Sequence, residues 1–558
     1  MTDTTQKHQA TLDQAVQALH GRTFFAHYPE NPSPDVYGAD ADAQGRAAYD
    51  ARRNQPFAEL QQGAPEAWAG QEDSPYEQQP LGITYPFYAP ETLVRNAQEA
   101  FGPWRKLKPA DRAAILIEAL EGMKTRFFEI AHATMHTTGQ AYMMSFQASG
   151  PHAADRALEA VAAGYEEQTR FPETTQWDKP MGKYTISLNK SWRAVPKGVA
   201  LVIGCATFPT WNTVPGMFAS LVTGNPVIIK PHPKAVLPIA IVVAEVQKVL
   251  VAHGLPATIC QLGVDANDRL ITKELAENPS VKLIDYTGGT EFGNYIESLQ
   301  SQGKVVFTEK TGVNSVILDS CDDLDKVVQN LAFSVSLYSG QMCTAPQNFF
   351  IPEQGVKVAG TLVPYEEVVQ KLAGAVQGLA TNPKAAPHVL GAIQNPATQQ
   401  RVADMAGRGH RNALAHGTVD NPQYQNARTC SPSLYELDAT QKEHFSQELF
   451  GPIMLAIKTK DTHESIRLAA ELAREHGAIS CAAYTTDEQI KEEIKDEMSL
   501  AGTAVSFNLT GGIYVNQNAA FSDFHVTGGN PAGNASFTNP EFVLKRFTWV
   551  GFREPVAG

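Results

Sequence analysis

An α/β fold, doubly wound around parallel strands, is what this sequence predicts, and three observations carry the prediction. Three short apolar runs, 199–204, 226–230 and 283–288, each end in glycine or lysine, and each precedes a helical segment, at 211–222, 238–251 and 291–298. A second strand series follows at 314–318, 348–351, 454–459, 479–485 and 503–508. Strands alternating with helices imply crossover connections, hence parallel sheets. At 558 residues the chain exceeds one core, so two or three domains are expected.

Residues 1–80 differ from the rest. They are rich in Pro, Gln, Ala and Asp, with an early helix around 11–20 and apolar residues at no regular spacing. Such a segment is expected to wrap over the body rather than fold alone. From Pro90 the pattern turns helical: Pro109 suits a helix start, and Leu116, Leu120, Met123 and Phe127 recur at spacings of three and four. A further helix is expected over 153–169. Tyr184-Thr185-Ile186-Ser187-Leu188-Asn189 alternates apolar and polar residues, and Trp192–Val195 follows after Lys190. That spacing predicts a two-stranded hairpin with one wet face, its halves meeting near Lys190. The tail, 542–552, is strand-like again, and no internal repeat is present.

Apolar residues at 43% and charged residues at 19% are ordinary for a globular protein. A net charge of −14 disfavours nucleic acid and anionic membrane as partners, since both select basic patches. The N-terminus carries no signal-peptide pattern, and no apolar stretch approaches spanning length. The six cysteines are scattered with no C-x-x-C pair, so a reducing cytoplasmic setting is expected, with neither disulfides nor a metal.

Two short motifs carry chemistry. Cys343 lies in Ser339-Gly340-Gln341-Met342-Cys343-Thr344, and Glu309 in Phe307-Thr308-Glu309-Lys310-Thr311-Gly312. A thiol and a carboxylate, each in a turn after an apolar run, suggest a nucleophile and its general base. Gly288-Gly289-Thr290-Glu291-Phe292-Gly293 follows a strand and opens a helix. Glycines there let backbone approach a pyrophosphate, with the helix N-terminus offering unpaired N–H groups.

Together these residues resemble the aldehyde dehydrogenase superfamily. The resemblance spans roughly residues 80–555 and implies oxidation of an aldehyde through a Cys343 thiohemiacetal and thioester, with Glu309 activating the hydrolytic water. It also implies a doubly wound cofactor domain, an α/β catalytic domain, and a small β element joining subunits into a homo-oligomer. Lys230-Pro231-His232-Pro233 matches the superfamily's K-P-x-E turn, placing Lys230 near the adenosine ribose. Pro233 replaces the usual acid, and Lys230, His232 and Lys234 lie nearby, so NADP is expected, with NAD possible. Glu448-Leu449-Phe450-Gly451-Pro452 matches E-x-F-G-P, which assigns Glu448 to the nicotinamide ribose and Phe450 to the ring. Two departures stand out. Ala206-Thr207-Phe208-Pro209 puts Thr207 where the superfamily has an oxyanion-binding Asn, and Thr527-Gly528-Gly529-Asn530 replaces P-F-G-G within a polar stretch, 508–536.

These departures, with Pro32-Ser33-Pro34-Asp35-Val36-Tyr37-Gly38, resemble the branch serving bacterial phenylacetic acid degradation. That likeness implies a ring-opened CoA-thioester semialdehyde, 3-oxo-5,6-dehydrosuberyl-CoA semialdehyde, supplied by a separate ring-opening hydratase. The expected organisation is an N-terminal extension (1–80), an NAD(P)-binding domain (81–308, with a hairpin at about 183–196), a catalytic domain (309–510) and a C-terminal segment (511–558). Two rivals accompany this reading: a CoA-acylating dehydrogenase, against which Glu309 counts, and a non-catalytic cofactor-binding assembly partner, which Thr207 favours.

Overall fold

Apolar runs too short for helices become strands covered on both faces, and here they gather into two mainly parallel sheets. The computed structural model describes residues 3–513, 520–521, 525–536 and 539–556. Helix α1 (Asp3–Gly21) buries Leu12, Ala15 and Ala18 against α2 (Pro109–Lys124) and α3 (Pro151–Thr169). The helical pattern through Phe127 is split: α2 ends at Lys124, and Phe127 starts the next helix, Phe127–Thr138.

The hairpin departs from the sequence expectation. Its strands are β1 (Thr174–Pro180) and β2 (Thr185–Pro196), so both apolar stretches around Lys190 belong to one continuous strand. The chain turns instead at 181–184, where Gly182 supplies φ 75°. Lys190 has no such freedom and stays paired.

Strands β3 (Val199–Ile203), β4 (Val227–Lys230), β5 (Cys260–Leu262), β6 (Val281–Thr287) and β7 (Val305–Glu309) form a parallel sheet in the order β7-β6-β3-β4-β5. Helices α4 (Pro209–Val222), α5 (Leu237–Ala252) and α6 (Thr290–Ser298) follow β3, β4 and β6. The strand order reverses between β3 and β6, and a crevice outside the carboxyl ends of such strands is where doubly wound sheets bind ligands.

A second sheet takes β8 (Ser315–Leu318), β9 (Asn348–Pro352), β10 (Arg411–Leu414), β11 (Ser433–Asp438), β12 (Ile453–Thr459), β13 (Ser480–Tyr484) and β14 (Ala504–Phe507). Its order is β10-β11-β12-β9-β8-β13-β14, parallel except for the edge strand β10. The sequence reading did not include β5, β10 or β11.

The last strand, β15 (Phe547–Pro555), pairs antiparallel with β2, and this three-stranded sheet leaves Trp177, Ile186, Val550 and Phe552 exposed. Just before it, Arg546 is fully buried: its guanidinium donates to both Asp285 oxygens on β6 (2.5 and 2.8 Å) and to Ser220 Oγ (2.7 Å). Among the described residues no helix is long and apolar enough to cross a membrane.

Candidate active site

Cys343 sits in the loop between helix α7 (Leu324–Ser336) and β9. Tyr338 and Ser339 both adopt φ 51°, an uncommon left-handed backbone, and Gly340 follows at φ 66°. A Cβ on Gly340 would lie 2.5 Å from the Gly451 carbonyl, so glycine is needed there on two counts. Side-chain amides fix the rest of the turn. Gln341 donates to the Tyr338 and Ala392 carbonyls (3.1 and 3.0 Å) and accepts from the Gln394 N–H (2.9 Å). Asn314 donates to the carbonyls of Cys343 (2.7 Å) and Ala345 (3.1 Å), while its own oxygen accepts from the Ile479 and Ser480 N–H groups. That satisfies the whole hydrogen-bonding capacity of a buried amide.

Glu309 ends β7, at the opposite wall. Its Oε1 accepts from Asn212 Nδ2 in the first turn of α4 (3.2 Å) and from His525 Nε2 (3.1 Å). The ligating atoms of Glu309, Cys343 and His525 all lie within 4.8 Å of one another. Burial, then the Glu309 carboxylate, pushes the Cys343 thiol well above its ordinary value. Burial also pushes Glu309 upward, but His525, Arg156 and the Cys343 sulfhydryl more than offset it, and the carboxyl ends below its usual range. Thiol and carboxylate therefore stand side by side within 4.8 Å, the arrangement a nucleophile and base need.

Behind Glu309 is a small chamber of about 70 Å³, whose wall mixes Arg156, Glu159, Asp285 and His525 with Phe307, Val526 and Phe542. In front, a cleft of about 1020 Å³ runs from Cys343 to the start of α6, and Thr207, Gly288, Gly289, Thr290, Glu309, Glu448 and Phe450 all line it. A Cβ on Gly289 would meet nothing within 4 Å, so the backbone there faces open space. Desolvation pushes the Glu448 carboxyl up to about 8, against the pull of the Gly312 N–H and Arg401, so a desolvated carboxyl stands in the cleft wall. An open glycine turn on a helix N-terminus at one end and the Glu448 carboxyl at the other fit a dinucleotide.

Three of the residues singled out from the sequence lie elsewhere. Gly293 faces the sheet, where a Cβ would collide with Lys310 Cδ at 2.5 Å. Lys230 is buried and paired with Asp265 (2.6 Å), and exposed His232 accepts the Lys234 N–H. Lys234 is itself bonded to Asp73 (2.6 Å), so the two lysines thought to favour a 2′-phosphate already have carboxylate partners. Sequence reasoning also missed His525, Asn212, Asn314 and Arg156. A buried Asn opening a strand was the one local signal, at Asn314; the others sit on elements distant in sequence.

A second, narrow opening of about 40 Å³ reaches Cys343 from the far side, between Met144, Ala148, Phe208, Trp211 and Met342. His152 stands in its wall, bonded to Glu30 of the N-terminal segment (2.6 Å). Thr527-Gly528-Gly529-Asn530 does not shape this opening. Asn530 instead clasps Ala478, Gly502 and Ala532 at the foot of β13 and β14. Parts of 508–536, residues 514–519 and 522–524, lie outside the described residues.

The aldehyde dehydrogenase family model matches residues 89–533. A crystal structure of an NAD-dependent aldehyde dehydrogenase from Burkholderia multivorans is 43% identical over 100% of both chains, with a TM-score of 0.96. A 1-pyrroline-5-carboxylate dehydrogenase from Thermus, with bound NAD, shares the fold at 18% identity over 96% of this chain and 99% of its own, with a TM-score of 0.75. An alpha-ketoglutaric semialdehyde dehydrogenase of Bacillus subtilis is 24% identical over 388 residues, 68% of this chain and 75% of that protein.

Proposed function

The chain belongs to the aldehyde dehydrogenase family, and from that premise we propose an NAD-preferring oxidation of a slim-chain aldehyde to its acid. One observation carries this: the Cys343 thiol and Glu309 carboxylate lie within 4.8 Å of each other where the cleft and the narrow opening meet. Glu309 takes the thiol proton as Sγ bonds to the aldehyde carbon, and the Thr207 hydroxyl with the Cys343 N–H receives the oxyanion. The bound nicotinamide cofactor supplies the hydride acceptor. Gly288, Gly289 and Thr290 would hold its phosphates, Glu448 its nicotinamide ribose and Phe450 the ring. After giving that first proton up to solvent, Glu309 takes a proton from water as the water oxygen attacks the thioester left by hydride loss. The C–S bond breaks, its electron pair returns to Sγ, and the acid leaves.

NAD is favoured over NADP because Lys230 and Lys234 are each neutralised by a carboxylate, which removes the free positive charge a 2′-phosphate would seek. Hydrolysis is favoured over transfer to CoA because the base is held in place beside the thiol. Among the described residues no Lys or Arg lines the narrow opening, so it suits an uncharged chain whose bulk stays outside. The ring-opened CoA-thioester semialdehyde of phenylacetate degradation, delivered by a separate hydratase, has that shape and is the specific candidate. The exposed aromatics of the β1-β2-β15 sheet support assembly with further copies of the chain.

The test is NADH and NADPH formation from a panel of simple and CoA-linked aldehydes, with wild type and Cys343→Ala in parallel. Turnover that needs Cys343, runs faster with NAD and is best on a CoA semialdehyde supports the full reading. Turnover on simple aldehydes alone keeps the mechanism and removes the phenylacetate assignment. No turnover by wild type with any aldehyde overturns the reading.

A further inference from the structure

We propose that His525 is a positioning residue for the hydrolytic half of the reaction, presented to Glu309 by a C-terminal strap along the edge of the cofactor sheet. The proposal rests on the reading of Glu309 as general base. Strand β7 is an edge strand, and residues 532–534 run along it. Asn534 accepts from the Thr308 N–H (2.8 Å) and donates to the Val306 carbonyl (2.9 Å), the Lys310 N–H donates to the Ala532 carbonyl (2.6 Å), and Gly533 sits opposite Glu309 as an antiparallel bridge. A Cβ on Gly533 would lie 2.5 Å from Val526 Cγ2 and 3.0 Å from the Thr308 carbonyl, so the strap can approach this closely only through glycine. Asn530 anchors the turn between.

The strap delivers His525 into a fixed setting. The imidazole meets Trp211 edge-on, at 4.8 Å and 85°, and Trp211 carries the Arg156 guanidinium over its ring at 3.8 Å. His525 is buried, with Nε2 on Glu309 and, among the described residues, no hydrogen-bond partner at Nδ1. Since a carboxylate only accepts, the ring carries a hydrogen on the Nε2 that faces Glu309.

Glu309 works twice, and its neighbours differ between the two occasions. At rest Asn212 and His525 donate to it and the Cys343 sulfhydryl lies within 4.8 Å. Once Cys343 is acylated it has no S–H, and the two N–H donors on Oε1 are what remain to aim the carboxylate at water. Loss of His525 therefore harms deacylation more than acylation.

Stopped-flow NADH formation with propanal and NAD separates the two steps. In His525→Ala the steady-state rate falls by about 10–100-fold, while the burst rate constant changes by less than about 3-fold and the burst amplitude approaches one per subunit. His525→Gln, which keeps an N–H donor at similar reach, recovers turnover to within about 3-fold of wild type. Parallel loss of burst and steady state in a folded His525→Gln protein, or wild-type turnover in His525→Ala, overturns the proposal. The family reading fails separately, by absence of any Cys343-dependent burst in wild type.

Discussion

Nucleophile and base face each other across one cleft but are held by opposite means. Cys343 is fixed through its backbone: Asn314 and Gln341 bond the carbonyls of its turn, and Tyr338 and Ser339 are kept at φ 51°. Glu309 is fixed through its side chain, by Asn212 and His525 on one carboxylate oxygen. The difference follows from the work each does. A nucleophile must stay put while its sulfur gains and loses a bond; a base must turn from thiol to water while remaining charged.

The largest effect expected on this comparison comes from Glu309→Gln. Steady-state turnover falls by about 10²–10⁴-fold, the loss of a general base, while a Cys343-dependent burst of NADH survives. Loss of burst and turnover together would mean that Glu309 is needed equally for both halves.

Asn314→Ala tests the backbone side. It strands two carbonyls and two N–H groups in the interior, at about 1–3 kcal/mol for each that finds no water, so thermal stability and burst rate fall together. Asn212→Ala, on the other wall, lowers turnover by about 3–10-fold with the melting temperature unchanged. If the two variants give the same pattern, the distinction between the walls is lost.

The smallest effect has the less intuitive sign. After burial, the Glu309 charge is what raises the Cys343 thiol. Removing that charge lowers the thiol's pKa, so more thiolate exists at a given pH. Alkylation of Cys343 by iodoacetamide at pH 8 therefore speeds up by about 2–10-fold in Glu309→Gln, although the enzyme is crippled. Slower alkylation in that variant would show that the carboxylate, through its hydrogen bond, promotes the thiolate.

Much of the fold was legible because its strands are buried on both faces: every residue of β3 and β4 is covered, which leaves an unbroken apolar run in the sequence. The hairpin turn was misplaced because alternation marks a strand but not where it ends. Strand β11, Ser-Leu-Tyr-Glu-Leu-Asp, was missed because polar residues interrupt its apolar run. In the site, Cys343, Glu309 and the glycine turn lie within short motifs and could be picked out locally. His525 reaches Glu309 across 216 residues and Asn212 across 97, and no periodicity records such a meeting. Lys230 stood out for its charge, which a buried aspartate 35 residues on cancels.

The strap over β7 also orders events during synthesis. Ribosomes release the chain from its N-terminus, so Cys343, Glu309 and the whole five-stranded sheet emerge before residues 525–536 exist. Until then the last strand of that sheet shows a bare row of N–H and C=O groups, a surface to which another nascent chain can add. A nascent chain halted before His525 would leave that edge bare and lack the N–H donor to Glu309, so one segment both covers the sheet and orients the base.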